Sequence, residues 1–435
     1  MLFLAKKCAE FIYNINCLLN KKMNSLDKYN LLDPGVQSFP YEYYSILREE
    51  APVYQMPQTG FYLITNYDLC NEVIRQPDLF ASGVSPMALR PGGIPQAVLE
   101  IYEKEGWMPL ASCSTSDPPA HTRLHHVLAQ LFTTVQVREL KPTIDSIVKD
   151  LIDEIANDDQ IAFVSRFSHP LPMIIIADLL GIPNDNLTIF KKWSDAIVEP
   201  YSMMISPERE VECTRLVVEM QHYFAELVEA RRGSSKDDLI SQIVNMDMAD
   251  FEPFNMAELL TIVSIDLLAS GNETTTSAIS SGMLLLCQNP NIVEEISRQP
   301  SLMVNFTEEI LRLESPAQGM FRHVTQNTEL NGIKLNKGDL LSLRFGSANR
   351  DEKQFPQADS IDLHRLTPGK HMAFGVGRHH CIGAVLARQE IMSAFDGLIQ
   401  RFKNFTLDTN KAKYEYVPSF FGRSLMELWI NFEKR

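Results

Sequence analysis

A proline-free stretch of about 30 residues between Asn255 and Pro290 constrains the fold of this chain more than any other feature. Its apolar residues recur at helical spacing and occupy nearly all faces of the predicted helix, which is typical of a helix buried along its length. Asn255 and Glu258 have the spacing of a capping box and place the first turn. At the standard rise per residue the helix is roughly 45 Å long, enough to cross the whole molecule. We therefore expect one large core built around it.

The rest of the chain is mostly helical in pattern, with little sheet. Apolar residues between 144 and 155 fall on one helix face, and Pro142 is expected in the first turn, where proline is tolerated. Strand patterns are short and cover residues 61–65, residues 340–343 and a hairpin that turns at Asn331-Gly332. We therefore predict a mainly α fold with a small β region.

Composition and charge exclude several classes of protein. With 45% hydrophobic residues the chain is too apolar to be disordered, and its seven cysteines are too few for a disulfide scaffold. The formal net charge is −15 and no basic cluster is present, so we predict no nucleic-acid partner. The cysteines are scattered without a CxxC pair, which favours a reducing compartment. A soluble, cytoplasmic protein is the expectation.

The first 25 residues are interpreted as an N-terminal extension, either dispensable or amphipathic, and residues 26–435 as a single catalytic domain. Lys6, Lys7 and Glu10 interrupt the apolar start, so no stretch reaches the ~20 residues of a membrane span. Apolar residues between 11 and 19 share one helical face. That pattern fits a helix resting on the protein or, weakly, on a membrane surface.

The segment from Phe374 to Gly383 carries the most chemical information. Cys381 precedes a helical pattern, and a helix N-terminus favours a thiolate and lowers its pKa. Gly375, Gly377 and Gly383 permit tight turns and close approach of the backbone to a flat group. Three other interpretations are poorer. A buried structural cysteine does not need three glycines, consecutive His-His-Cys residues cannot wrap a zinc ion alone, and a phosphate loop lacks its third glycine.

These residues resemble the signature of the haem-thiolate cytochrome P-450 family, which has a Phe, a Gly-x-Gly turn, a His or Arg two places before the Cys and a Gly two places after it. Other family segments occur in order, namely a Glu-x-x-Arg helix at Glu309 to Arg312, an arginine at Arg365 and an oxygen-activating segment at residues 270–275. The resemblance runs from about residue 41 to residue 423. It implies the cytochrome P-450 fold and a b-type haem whose iron is bound by Cys381.

The resemblance also implies roles for individual residues. Glu309, Arg312 and Arg365 would form a buried structural triad. Thr274 would position a proton donor and Glu273 would relay protons from solvent, as the catalytic pair. The cofactor-binding positions are Phe374, Gly375, Gly383, His121, His125, Arg322 and His379. Many relatives carry Arg where this chain has His125, and Ala or Gly where it has Ser270.

The resemblance implies a monooxygenase that hydroxylates a small to medium apolar substrate with dioxygen. Because no reductase or iron–sulfur motif is present, electrons would come from a separate ferredoxin or flavodoxin. That partner would dock on a basic patch for which the candidates are Arg123, His125, Arg378 and Arg388. The alternatives are a haem-thiolate isomerase, dehydratase or peroxide-driven enzyme, and a haem sensor without turnover.

The proline- and glycine-rich residues 81–119 are expected to form a long irregular loop, often a lid or binding wall. Family topology places further pocket walls elsewhere in the chain. These expected walls are residues 84–94, Trp107, Met108, Met203, Met204, Leu267, Gly319, Met320, Phe420 and Phe421. Methionine and aromatic side chains suit an adaptable apolar cavity.

Overall fold

The computed structural model describes residues 26, 28–84, 89, 93–183, 187–248, 251–408, 410–411 and 414–435. Helices dominate this part of the chain. In chain order they are α1 Pro34–Ser38, α2 Tyr41–Glu50, α3 Tyr67–Ile74, α4 Gln96–Glu105, α5 Ala120–Leu131, α6 Thr134–Ile155, α7 Pro170–Leu179, α8 Leu187–Val198, α9 Pro207–Arg231, α10 Leu239–Asn245, α11 Met256–Thr261, α12 Ser270–Gln288, α13 Asn291–Arg298, α14 Leu302–Glu314, α15 Phe345–Ala348 and α16 Ala384–Arg401.

In the described part of the chain, ten short strands form the small β region. They are β1 Val53–Gln55, β2 Tyr62–Ile64, β3 Phe80–Ala81, β4 Gln160–Ala162, β5 Met320–Val324, β6 Thr328–Leu330, β7 Ile333–Leu335, β8 Leu340–Leu343, β9 Phe402–Leu407 and β10 Trp429–Lys434. One sheet has the order β1-β2-β8-β5-β3, a second has β4-β10-β9, and β6 pairs with β7. The β2–β8 pair is parallel and the other pairs are antiparallel. The prediction of a mainly α chain with little sheet is confirmed.

The expected central helix is present, but it is not α-helical throughout. It runs through α11, a π-helical segment at Ile262–Ala269, and α12. The capping box at its start is confirmed, because the Glu258 N–H donates to Asn255 Oδ1 at 3.0 Å and the Asn255 N–H donates to Glu258 Oε2 at 2.8 Å. A Cβ at Gly282 would lie 2.5 Å from the Phe395 ring of α16. This close packing fixes the helix against the element that follows Cys381.

The expectation that Pro142 lies in a first helical turn was wrong. Pro142 lies inside α6, which begins eight residues earlier at Thr134. Thr133 and Gln136 form a capping box there, with the Thr133 N–H donating to Gln136 Oε1 at 3.0 Å. A proline removes one backbone hydrogen bond from a helix interior. The cap and the buried apolar face of α6 keep the helix intact in spite of that loss.

The predicted strands are confirmed, and the long loop is broken by a helix that was not predicted. β2 and β8 lie in the predicted segments, and the hairpin turns at Asn331 and Gly332, which have φ of 50° and 78°. Within residues 81–119, α4 forms an ordered helix with buried Val98, Ile101 and Tyr102. Much of the expected wall at residues 84–94 lies outside the described residues.

The proposed N-terminal extension, residues 1–25, also lies outside the described residues. Among the helices that the structure describes, none combines the length and the apolar character that crossing a bilayer requires.

Candidate haem-binding and oxygen-activation site

The segment around Cys381 is a closed loop that leads into α16. The Cys381 N–H donates to the Phe374 carbonyl at 2.8 Å, which closes the loop. Gly375 and Gly377 have φ of +65° and +71°, so both adopt the left-handed conformation that glycine tolerates best. Gly383 does not share the left-handed conformation of the other two glycines. Its φ is −77°, and it is the N-cap residue of α16. A Cβ there would lie 4.0 Å from Cys381 Sγ, an ordinary contact distance.

Competing effects act on the pKa of the Cys381 thiol. The residue is exposed, but the protein atoms around its sulfur desolvate it. This desolvation raises the pKa and outweighs the Gly383 N–H and the Arg388 charge, which both lower it. The expected net lowering of the thiol pKa was therefore wrong for the protein alone, although the helix N-terminus does contribute in the expected direction.

A buried ion network supports the loop from the neighbouring helices. Arg388 of α16 pairs with Glu308 of α14 at 2.6 Å, and His371 Nε2 lies 3.0 Å from the same carboxylate. The Arg388 guanidinium also lies 4.4 Å from the Phe374 ring centroid. Burial opposes ionisation of Glu308, but these partners hold its pKa at about 2. Arg388 is thus paired beneath the loop, and its suggested part in docking an electron donor stays a prediction.

The three residues of the predicted triad meet in the interior. Glu309 accepts two hydrogen bonds from Arg312, at 2.7 and 2.8 Å, and a third from Arg365 Nε at 2.9 Å. Arg312 also donates to three backbone carbonyls, of Asn349, Ala358 and Ser360. Burial opposes ionisation of Glu309, but the two arginines hold its pKa below the usual value. The triad ties α14 to the chain segment that leads toward the Cys381 loop.

Three of the predicted cofactor-binding residues converge beside this loop. The His121 and His379 rings are 4.4 Å apart, and His379 Nε2 lies 2.9 Å from Ser82 Oγ. Burial lowers the pKa of His379 to about 4, and the nearby charges of Arg322 and His121 act in the same direction. Burial also lowers the pKa of Arg322 to about 10. The cluster therefore brings one buried cation and two imidazoles together.

This cluster fits an anionic ligand such as the carboxylates of a haem. Arg322 is only 5% exposed. Within the described residues its guanidinium donates one hydrogen bond, to the Phe321 carbonyl at 2.6 Å, and forms no ion pair. The buried Nε2 of His121 likewise lacks a partner there. Buried polar groups are normally paired, so these donors are suited to a ligand that supplies acceptors.

His125 joins this cluster, but Arg123 does not. The His125 ring lies 5.4 Å from that of His121. Arg123 instead pairs with Glu258 at 2.6 Å and covers the Phe254 ring at 4.2 Å. Arg123 is thereby committed to the first turn of the central helix. Its suggested part in docking an electron donor stays a prediction.

The central helix presents a polar face at its middle. Ser270 and Thr274 are exposed although the residues around them are largely buried. The Thr274 hydroxyl donates to the Ser270 carbonyl at 3.1 Å, and the Ser270 hydroxyl donates to the Ile265 carbonyl at 2.7 Å. A widened coil, the π-helical segment at Ile262–Ala269, lies just before these residues. The five-residue step from Ser270 to Ile265 belongs to that wider coil.

The Glu273 side chain contacts α8 and is connected to solvent through residues of that helix. Its Oε1 accepts hydrogen bonds from Ser194 Oγ and Asn272 Nδ2, both at 2.9 Å, and lies 3.5 Å from Lys191 Nζ. Lys191 pairs in turn with Asp195, and both side chains are more than a third exposed. Burial raises the pKa of Glu273, while the Lys191 charge opposes that rise.

A small cavity lies between α4, α8, α9 and the first half of the central helix. It is lined by Tyr102, Pro109, Ala196, Ile197, Pro200, Tyr201, Thr214, Val217, Gln221, Thr261, Ser264 and Ile265. None of the expected pocket walls is among these residues. Met108 is 41% exposed, and Met203 packs in the core beside Tyr43 and Phe420. The lining combines apolar surface with several hydroxyl groups.

Several site residues could not be found from the sequence. Asp117 accepts hydrogen bonds from the N–H groups of Ser82 and Gly83, at 3.0 and 2.8 Å, and its charge favours protonation of Arg322. In the sequence, the only feature that distinguished Asp117 was that two prolines follow it. Lys191 gave no signal, because it lies 82 residues before Glu273. Glu308 could have been noticed beside Glu309, but its partner Arg388 is 80 residues away.

Comparison with known proteins agrees with this geometry. The family model described as cytochrome P450, written P-450 here, matches residues 110–299 and 299–421. Among curated relatives, the 6-deoxyerythronolide B hydroxylase of Saccharopolyspora erythraea is 32% identical and is matched over 84% of this chain and 89% of its own length. The cytochrome P-450 monooxygenase PikC of Streptomyces venezuelae is 30% identical over 91% of each chain.

Solved structures show the same fold. The cytochrome P-450 CREJ in complex with (4-ethylphenyl) dihydrogen phosphate superposes with a TM-score of 0.87 at 26% identity, covering 93% of this chain and 99% of that one. A cytochrome P-450 of Bacillus megaterium in complex with testosterone gives a TM-score of 0.77 at 29% identity, covering 90% and 99%.

Proposed function

Because this chain belongs to the cytochrome P-450 family, we propose that it hydroxylates a small to medium, largely apolar substrate, using dioxygen and electrons from a separate ferredoxin or flavodoxin. The family and fold establish a haem-thiolate monooxygenase. In that reaction one oxygen atom enters a C–H bond of the substrate and the other leaves as water, at the expense of two electrons and two protons. The protein must therefore deliver protons to a buried site.

The haem would be held by residues already described. Cys381, which lies just before α16, would supply the thiolate that binds the haem iron. Arg322, His121 and His379 would bind the haem carboxylates, with His125 beside them. When bound, the haem supplies iron-centred activation of dioxygen, with the thiolate donating electron density that favours O–O cleavage.

Thr274 and Glu273 would move the protons. Thr274 donates its own hydroxyl hydrogen to the Ser270 carbonyl, so its oxygen is left to accept a hydrogen bond from a protonated donor or water. Glu273 can recharge from solvent through Lys191 and Asp195. Since burial raises the pKa of Glu273, a larger share of its carboxyl is protonated than in water.

The observation that carries this proposal is the polar face of the central helix. Exposed Thr274 and partly buried Glu273 are adjacent in a helix in which most of the other residues are buried. A purely structural helix would not keep a carboxylate there, linked by Lys191 and Asp195 to the surface. We also place the protein in the cytoplasm, because the five described cysteines are all free.

Replacement of Thr274 by Ala tests the proposal. The haem-loaded enzyme would be reduced by a ferredoxin system, and the product formed per reducing equivalent would be measured. We expect that ratio to fall on the order of tenfold to a hundredfold, because proton delivery is impaired. Thr307→Ala is the matched control, since Thr307 makes the same hydroxyl bond to the carbonyl four residues back, at 3.0 Å, but lies in α14.

Other results favour the alternatives. Full coupling in the Thr274→Ala enzyme would contradict the proton-delivery role. If peroxide alone sustains turnover in both forms, the enzyme is peroxide-driven. A product that contains no oxygen from dioxygen would indicate an isomerase or dehydratase. Ligand binding without any product under reducing conditions would indicate a haem sensor.

A further inference from the structure

Asp266, on the π-helical part of the central helix, is a carboxylate that the proton-delivery mechanism leaves unused. We propose that it anchors the substrate and selects apolar compounds that carry a cationic amine about 10–12 Å from the carbon that is oxidised. This inference rests on the proposed function, which makes the space beside Thr274 the substrate chamber.

The position of Asp266 supports this role. Asp266 precedes Thr274 by eight residues, which is roughly 12 Å along a helix at the standard rise and somewhat less where the coil is wider. Asp266 and Ser270 are four residues apart, as are Ser270 and Thr274, so helical spacing places all three near one face. The Ser270 hydroxyl donates to the Ile265 carbonyl five residues back, which is consistent with the wider coil at this point. Ile265 and Asp266 are the partly exposed members of an otherwise buried segment.

Asp266 lacks a counter-charge. Its carboxylate accepts a hydrogen bond from the Cys113 N–H at 3.0 Å. No Lys, Arg or His within the described part of the chain forms an ion pair with it. Burial raises its pKa to about 7, against the small opposing effect of the Cys113 N–H. A carboxylate in such a setting is costly to ionise unless a cation pairs with it, and an ammonium group on a ligand would supply that cation.

The surroundings of Asp266 suit an amphiphilic ligand. Ser264 and Ile265, the two residues before it, line the cavity beside α4, α8 and α9. Tyr201 lines the same cavity, and its pKa is raised to about 12, first by burial and then by the charge of Asp266. A cavity of mixed apolar and hydroxyl surface, with a carboxylate on the residue next to its lining, suits a largely apolar ligand that ends in a cation.

A purely structural role for Asp266 makes a different prediction. The carboxylate could serve only to hold the turn at Cys113–Thr115 against the central helix. In the Asp266→Asn protein the amide oxygen can still accept the Cys113 N–H, but the negative charge is gone. Loss of cation binding without loss of neutral-ligand binding would thus separate the two roles.

The experiment uses two probes of the same shape. Octyltrimethylammonium carries a positive head group that cannot ligate iron, and octyl tert-butyl ether has an uncharged head of similar bulk. Each would be titrated into the haem-loaded protein, with the dissociation constant taken from the spin-state shift of the Soret band. We expect Asp266→Asn to weaken binding of the cation at least tenfold and to change binding of the ether less than twofold. Asp150→Asn, which removes an exposed carboxylate of α6, should change neither.

Three results would overturn the inference: equal weakening of both probes, an unchanged affinity for the cation, or no spin-state shift with the cation in the unsubstituted protein. Because the titration requires no turnover, it fails or succeeds independently of the proposed hydroxylation. Product analysis adds a second check. Oxidation should fall near the end of the octyl chain furthest from nitrogen, and oxidation beside nitrogen would contradict the anchored orientation.

Discussion

Glu309 is a fully buried carboxylate held between two guanidiniums, and this arrangement makes it costly to change. Replacement of Glu309 by Gln would leave Arg312 and Arg365 buried without the one carboxylate that both of them pair with. Removing one partner from a buried pair costs about 3–5 kcal/mol. We expect the unfolding free energy of the haem-loaded protein to fall by that amount, measured by urea denaturation followed by circular dichroism and Soret absorbance.

Glu295→Gln provides the matched control for Glu309. Glu295 accepts a hydrogen bond from His364 at 2.6 Å, but both side chains are more than 40% exposed. An exposed pair contributes about 0–1 kcal/mol, so this substitution should have little effect. Equal destabilisation by the two substitutions would show that the contribution of the triad to the unfolding free energy does not depend on its burial.

Sequence spacing alone predicted contacts only between residues that are close together in the chain. Glu309 and Arg312 lie three apart on one helix, so their contact followed from helical geometry. Arg365, Arg322 and His121 were reached only through the family resemblance. The pairings of Lys191 with Glu273, of Asp117 with Gly83 and of Arg388 with Glu308 were not predicted, because each joins residues 34 or more positions apart. Which charges meet depends on the packing of whole elements.

The capping box at Asn255 and Glu258 stabilises the first turn of the central helix. Replacement of Asn255 by Ala removes the acceptor of the Glu258 N–H and loosens Glu258, which also binds Arg123. Such cap losses cost typically about 1 kcal/mol. We expect a decrease of that size in the unfolding free energy, together with faster hydrogen exchange of the first-turn amides, measured by exchange mass spectrometry.

Asn255→Asp tests whether capping is the cause. An aspartate keeps an acceptor for the same N–H and is favoured by the helix dipole. Its stability should match that of the unsubstituted protein within about 0.5 kcal/mol. If aspartate and alanine destabilise equally, the side-chain cap contributes little and the helix start is fixed by packing alone.

Elements with strong local signals were predicted well, and those formed by distant pairing were not. The central helix and the β6–β7 hairpin carried their own caps and turn residues. β4 and β10 pair across more than 260 residues, and neither has a pattern that distinguishes it from a loop. The π-helical segment was also missed, because its apolar residues fit an α-helix equally well. α4 was hidden among prolines and glycines that predicted a loop.

At the scale of the whole molecule, charge limits how an electron donor can bind. A chain with a net charge of −15 repels acidic partners on average, so an acidic ferredoxin needs a local positive region. Of the four candidate cations, Arg123 and Arg388 are occupied by Glu258 and Glu308. Arg378 is exposed and lies in the turn just before Cys381, so it is the accessible arginine that remains among them.

Replacement of Arg378 by Glu should therefore slow electron delivery. We expect the second-order rate constant for reduction by an acidic ferredoxin to fall roughly tenfold at low salt, because electrostatic steering changes the association rate more than the chemistry. The difference should shrink as ionic strength rises toward 0.5 M, where the Debye length is only about 4 Å. Stopped-flow absorbance of the reduced carbon monoxide complex measures this rate.

The Lys236→Glu variant distinguishes the effect of a charge near Cys381 from the effect of the net charge of the whole protein. Both substitutions lower the net charge by two units, but Lys236 lies on the connection between α9 and α10, away from the Cys381 loop in the chain. If the field of the whole molecule governed the encounter, the two variants would slow reduction equally. A loss confined to Arg378→Glu would instead locate docking at the Cys381 loop. That is the outcome expected when the two variants are compared at 0.1 M salt, because a surface charge is largely screened there beyond about 10 Å.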